Sequence, residues 1–152
     1  MNRPELVTFI RQRGLAVVAT RGPDGAPQAA LVGVAATDQA EIIFDTSAAS
    51  RKCRNIQARP EVAVVIGWDD EETVQCEGRA DILSGAERSR CLAAYVDQYP
   101  DGQQRAQDPD IVHVRIRPHW LRHSDYRPDS FAIHETRLDV TAEATGQPEH
   151  LG

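Results

Sequence analysis

Two short β-branched segments, Leu15 to Thr20 and Gln28 to Val34, stand on either side of Gly22-Pro23-Asp24-Gly25. Gly and Asp tolerate the backbone of a tight turn and Pro presets its first corner, so this stretch predicts an antiparallel hairpin. A second turn at Thr37 to Gln39 and a third strand over Glu41 to Asp45 extend the hairpin into a meander. Glu61 to Trp68 is an almost unbroken Val/Ile run, which predicts a strand buried on both faces, and Thr73 to Leu83 returns as its partner. Between them, Asp69 to Glu72 is charged enough to read as a solvated hairpin. Ile111, Val112, Val114 and Ile116 mark one more strand. Helical spacing is confined to Pro4 to Arg13, stopped by Gly14, to Ser50 to Arg59, stopped by Pro60, and to Glu87 to Tyr99, stopped by Pro100-Asp101-Gly102. Six antiparallel strands with short helices predict a mainly β fold, a small closed or half-closed barrel. Such a barrel has little interior room, so a ligand site is expected at its rim or between two copies.

The chain's 152 residues supply one core and are too few to need a second domain. Residues 1–140 therefore read as a single domain, and 141–152, polar and without a hydrophobic period, as a flexible tail. A net charge of -6 argues against a nucleic-acid or anionic-membrane surface, which needs a broad positive field, whereas a small anion needs only a local one. No apolar run approaches the roughly 20 residues that span a bilayer, and the start of the chain has no secretory pattern. The three cysteines, Cys53, Cys76 and Cys91, fit neither a zinc site nor a disulfide framework and read as idle thiols. These features together predict a cytoplasmic protein.

A local positive field is present where the third strand ends. Phe44-Asp45-Thr46 leads through three small residues to Ser50-Arg51-Lys52 at the start of a helix. Helix N-termini present free N–H groups and a positive dipole end, and these hydroxyls and cations would add directional donors for a phosphate. The alternative is an ordinary Ser N-cap on a solvated helix face.

Three pieces of the chain resemble the pyridoxamine 5'-phosphate oxidase family, the flavin-binding split-barrel proteins, over about residues 5 to 125. They are Ala19-Thr20 leading through Asp24-Gly25-Ala26-Pro27-Gln28, the stretch from Phe44 to Ile56, and Arg59 to Trp68 followed by Glu77-Gly78-Arg79-Ala80. The resemblance implies a six-stranded, Greek-key split β-barrel that binds FMN at the interface of a homodimer and oxidises or reduces a small molecule. By the same resemblance Ser50, Arg51 and Lys52 lie near the phosphate, Thr46 supplies a hydroxyl, and Ala30, Leu31 and Val32 lie against the ring. Thr73 or Gln75 would add a hydrogen bond. A deazaflavin or haem, held with or without turnover, is the alternative, with Arg54 and Arg59 as the nearest further cations for a longer acidic tail.

The chain also departs from the biosynthetic oxidase. Ala30 stands where that enzyme carries an arginine, Ser124 near its late tryptophan, and Arg122-His123-Ser124-Asp125-Tyr126-Arg127 has a different order from its substrate motif. Pyridoxamine phosphate is therefore not the expected substrate. Trp68 is expected to pack in the core and Trp120 to serve packing or a dimer contact. His113, His119, His123 and His134 lack metal spacing, and the apolar residues from Phe131 to Val140 are expected to dock on the barrel or a partner.

Overall fold

The computed structural model describes residues 1–139, so the tail expected at 141–152 lies outside the described residues. The elements follow in the order α1 (Arg3–Arg13), β1 (Leu15–Arg21), β2 (Pro27–Gly33), β3 (Ala35–Ala36), β4 (Ile42–Ser47), α2 (Arg51–Ala58), β5 (Glu61–Ile66), β6 (Glu72–Ile82), α3 (Gly85–Gln98), α4 (Gly102–Arg105), β7 (Ile111–Asp125) and β8 (Ala132–Arg137). All strand pairs are antiparallel, and the sheet runs β2-β1-β5-β6-β7-β4-β3 with β8 added beside β7. The sheet curls into a half-barrel around Val18, Phe44, Val64, Ile66, Val114, Ile116 and Leu121, as a mainly β reading expects.

Eight strands stand where six were expected. The second expected strand breaks at Val34, leaving the two-residue β3. The late strand does not stop at Ile116 but runs 15 residues, because Pro118 and His119 are absorbed where the β6–β7 register shifts between Glu77 and Gly78. Gly78 is required there, since a Cβ would stand 2.6 Å from the Arg117 carbonyl. β8 is mostly polar, which hid its pairing; it joins the chain's own sheet with Leu138 in the core, while Phe131 and Ile133 stay exposed and Val140 lies outside the described residues.

β5 is not buried on both faces. Val62, Val64 and Ile66 point inward, while Glu61, Ala63 and Val65 point out, because the curled sheet encloses only its concave side. Trp68 is likewise 52% exposed rather than packed inside: Gly67, at φ +78°, turns the chain out of the strand before the indole.

α1 and α2 plug opposite ends of the half-barrel, α1 joining the start of β1 and α2 meeting its end. Asn2 and Glu5 form a reciprocal capping box at the start of α1, and Gly14 at φ +70° ends it. At the other end Arg59 Nε donates to the Arg21 carbonyl at 2.8 Å. α3 covers the opposite face of β4 and β7, where Ala35, Ile43, Leu83, Cys91 and Tyr95 make a second small core. Among the described residues no helix is long and apolar enough to cross a membrane.

Candidate functional site

The strand-to-helix corner between β4 and α2 is locked by its own hydroxyls. Ser50 is extended (φ -66°, ψ 151°), and its Oγ accepts from the Cys53 N–H at 3.2 Å as an N-cap. Thr46, buried at the end of β4, donates its Oγ1 to the same oxygen at 3.0 Å. Both hydroxyls therefore build the corner that presents the next two residues.

Arg51 Nε donates to Gln28 Oε1 of β2 at 3.0 Å. Asn55, one turn further along α2 and buried, donates its amide to Gln28 Oε1 at 2.9 Å and to Thr20 Oγ1 at 3.0 Å. α2 is thus tied to both strands of the first hairpin. Arg13, Arg90, Arg105 and Arg115 each meet a carboxylate. Arg51, Lys52 and Arg54 meet none among the described residues, so the N-terminal turn of α2 carries uncompensated positive charge in an acidic chain. Gln28 and Asn55 escaped the sequence reading. The one signal for them is the i, i+4 spacing of Arg51 and Asn55, which puts both on one helix face.

The second part of the site is the convex face of the sheet. Strand register sets Leu31, Val17, Val65, Gln75 and Arg122 in one row across β2, β1, β5, β6 and β7. The next row is Ala29, Ala19, Ala63, Glu77 and Trp120. Leu31 is 62% exposed and Val65 38%, so the β2-β1-β5 part is an apolar shelf that nothing among the described residues covers. Of the residues predicted to touch a cofactor, Leu31 and Gln75 lie on this shelf. Thr73 is beside it, half-buried, with Oγ1 donating to the Ile66 carbonyl at 3.4 Å. Ala30 and Val32 turn their side chains to the core side and their N–H and C=O groups into the ladder with β1, so the backbone groups that face the edge of the sheet are those of Ala29 and Leu31. β2 is that edge, with one row of N–H and C=O groups outside the ladder. Beside Thr73 and Gln75, their β7 neighbours Ser124 and Arg122 hold a buried Oγ and a buried Nε without a hydrogen-bond partner.

The histidines are placed elsewhere. His113 is fully buried under α3, its Nδ1 accepting from Arg88 Nε at 3.1 Å, and burial together with the Arg88 charge pushes its pKa down. His123 faces the core side, 2.7 Å from Glu72 Oε1, and His134 is its cross-strand neighbour. Glu72 also pairs with Arg13 at 3.2 Å, so the acidic loop is anchored at its last residue rather than wholly solvated. Among the described residues no three side chains group as metal ligands. Cys53, Cys76 and Cys91 are buried free thiols, and burial pushes Cys76 up to about 12.

This arrangement can be set beside known proteins. A pyridoxine/pyridoxamine 5'-phosphate oxidase of Thermosynechococcus vestitus is 36% identical over 140 residues, covering 89% of this chain and 59% of that protein. The chain spans between 36% and 59% of the length of that relative and of a Burkholderia lata oxidase that it also matches. Among solved structures, a conserved hypothetical protein from Mycobacterium tuberculosis is 27% identical with a TM-score of 0.71, over 84% of this chain and 86% of that one. A haem-binding protein from Mycobacterium smegmatis superimposes with a TM-score of 0.75 over 90% of this chain and 58% of that one, and at 18% identity it shares the fold alone. The family model for pyridoxamine 5'-phosphate oxidase matches residues 3–125, and the chain belongs to that family.

Proposed function

We propose that this chain is an FMN-binding subunit that works as a homodimer in two-electron oxidation or reduction of a small molecule. The observation that carries the reading is the pair Arg51 and Lys52 at the N-terminal turn of α2, cations without a carboxylate partner among the described residues, Arg51 being tied to the edge strand β2 through Gln28. Those two side chains would hold the phosphate, with Ser50 and Thr46 fixing the corner beneath them. Gln28 to Leu31 spans roughly 10 Å along β2, which brings the apolar shelf within reach of a ligand anchored at α2. The free backbone groups of Leu31 on the β2 edge would pair with a flavin's polar edge, with Ala30 and Val32 flanking it, and Thr73 and Gln75 would add side-chain bonds. Bound FMN supplies the hydride chemistry, and the protein orients it and excludes water.

A second copy of the chain is the occupant that fits the shelf. The shelf's apolar residues Leu31, Val17 and Val65 are flanked by Gln75 and Arg122, which is the composition of an interface core with a polar rim. Ala30 stands where the biosynthetic enzyme carries an arginine and Arg122 to Arg127 differ in order from its substrate motif, so the substrate is a small molecule other than pyridoxamine phosphate. The buried free thiols fit a reducing cytoplasm. FMN is favoured over haem because His113 is buried under α3 while His123 and its cross-strand neighbour His134 lie on the other face of the sheet from the shelf.

The test is an absorbance spectrum of protein purified without added cofactor, followed by titration with FMN, a deazaflavin and haem. Saturable FMN binding at one per subunit, with bleaching of the flavin band by NAD(P)H or a substrate, supports the reading. Preference for a deazaflavin or haem overturns the cofactor assignment, and a flavin that never changes redox state overturns the enzyme.

A further inference from the structure

We infer that Gln28 is a positioning residue, whose side-chain carbonyl holds Arg51 in the pose that meets the cofactor phosphate. The inference rests on the FMN reading above. Gln28 Oε1 takes two N–H donors from α2, Arg51 Nε at 3.0 Å and Asn55 Nδ2 at 2.9 Å. Asn55 is itself fixed by Thr20 Oγ1, and Thr20 is the cross-strand partner of Gln28, so the four side chains form one linked chain across β1, β2 and α2.

The chemistry of that contact is selective. Engaging Arg51 through Nε leaves both terminal nitrogens of the guanidinium free for bidentate binding of an oxyanion. A neutral amide orients the cation without neutralising it, whereas a carboxylate at the same place would compete with the phosphate. An exposed arginine otherwise loses rotamer freedom on binding, and a contact made in the free protein removes part of that loss.

Residue 22 shows that the backbone accommodates this amide. A Cβ on Gly22 would stand 2.8 Å from Gln28 Nε2, so the amide packs close over the turn and a side chain at position 22 would displace its flexible end. Gly22 does not have a positive φ, so a substitution there meets the Gln28 amide rather than backbone strain.

The experiment compares FMN with riboflavin, which lacks the phosphate, in the full chain and in Q28L, R51K, Q28L/R51K and G22A. Q28L is expected to weaken FMN about tenfold while riboflavin stays within about twofold, and G22A to give a smaller change of the same kind. In the R51K background Q28L is expected to add less than about twofold, because the group it positions has gone. Without ligand, the Arg51 Nε–H resonance is expected to be protected from exchange in the wild type and lost in Q28L. Equal loss of both flavins, or a Q28L effect that persists in R51K, marks a merely structural residue and overturns the inference. A wild type that prefers FMN while Q28L matches it overturns the positioning role alone. A wild type that does not prefer FMN over riboflavin overturns the phosphate reading and the inference with it.

Discussion

Arg115 of β7 and Glu41, just before β4, form an ion pair at 3.2 Å with side chains only 5% and 8% exposed. Arg115 also reaches Asp81 and Glu87, and Arg90 of α3 closes on Glu41 at 2.8 Å, so the network fastens α3 to the sheet. Removing one partner leaves a buried charge uncompensated. Arg115→Ala is expected to cost about 3–5 kcal/mol in urea denaturation, and the Glu41→Ala/Arg115→Ala double variant clearly less than the sum.

The same network sets the acid limit of the fold. Burial pushes the Glu41 carboxyl up, but hydrogen bonds from Arg90 and Thr37 and the charges of Arg90 and Arg115 outweigh it and hold it below its ordinary 4.5. Hydrogen bonds from Arg90 and Arg115 hold Glu87 down at about 2. A depressed carboxylate contributes stability that is fully present above its unfolded value and lost as pH falls through its folded value. Thermal melts are expected to be level down to about 4.5 and to fall steeply from there toward 2, with Glu41→Gln giving a shallower fall.

Gly78 allows β6 and β7 to approach at the register shift. Gly78→Ala sets a Cβ 2.6 Å from the Arg117 carbonyl and 3.0 Å from Ile116 Cγ2, both inside the sheet. The expected loss is about 1–3 kcal/mol, read as a lower melting temperature with the strand content retained.

Leu31 is the most exposed aliphatic side chain on the shelf, at 62%. Sedimentation of the wild type is expected to give twice the chain mass of 16.8 kDa, and Leu31→Asp to give the single mass while staying folded. A wild type that sediments as a single chain rejects the second copy as occupant of the shelf.

Periodicity made the barrel legible because turn chemistry and β-branched runs are local signals. The hairpin around Asp24, the stop at Gly14 and the helix after Ser50 all rest on residues adjacent in sequence. β8 and the second half of β7 were not legible, since their pairing depends on a bulge and on polar residues facing solvent. The inward reading of Trp68 failed on one backbone angle at Gly67. In the candidate site, cations at a helix start could be seen from spacing, but Gln28 meets Arg51 and Asn55 only through the fold, 23 and 27 residues away in sequence. Ala30 and Val32 differ from Leu31 in the same way: strand alternation separates their side chains, and only the structure tells which face is which.

The most direct measurement is the affinity of the wild type and of the Arg51→Ala/Lys52→Ala double variant for FMN, with riboflavin titrated alongside. If these two cations hold the phosphate, the double variant loses about 2–4 kcal/mol of FMN binding and binds riboflavin as the wild type does. A double variant that binds FMN as tightly as the wild type contradicts the phosphate site and leaves the start of α2 as a solvated helix cap.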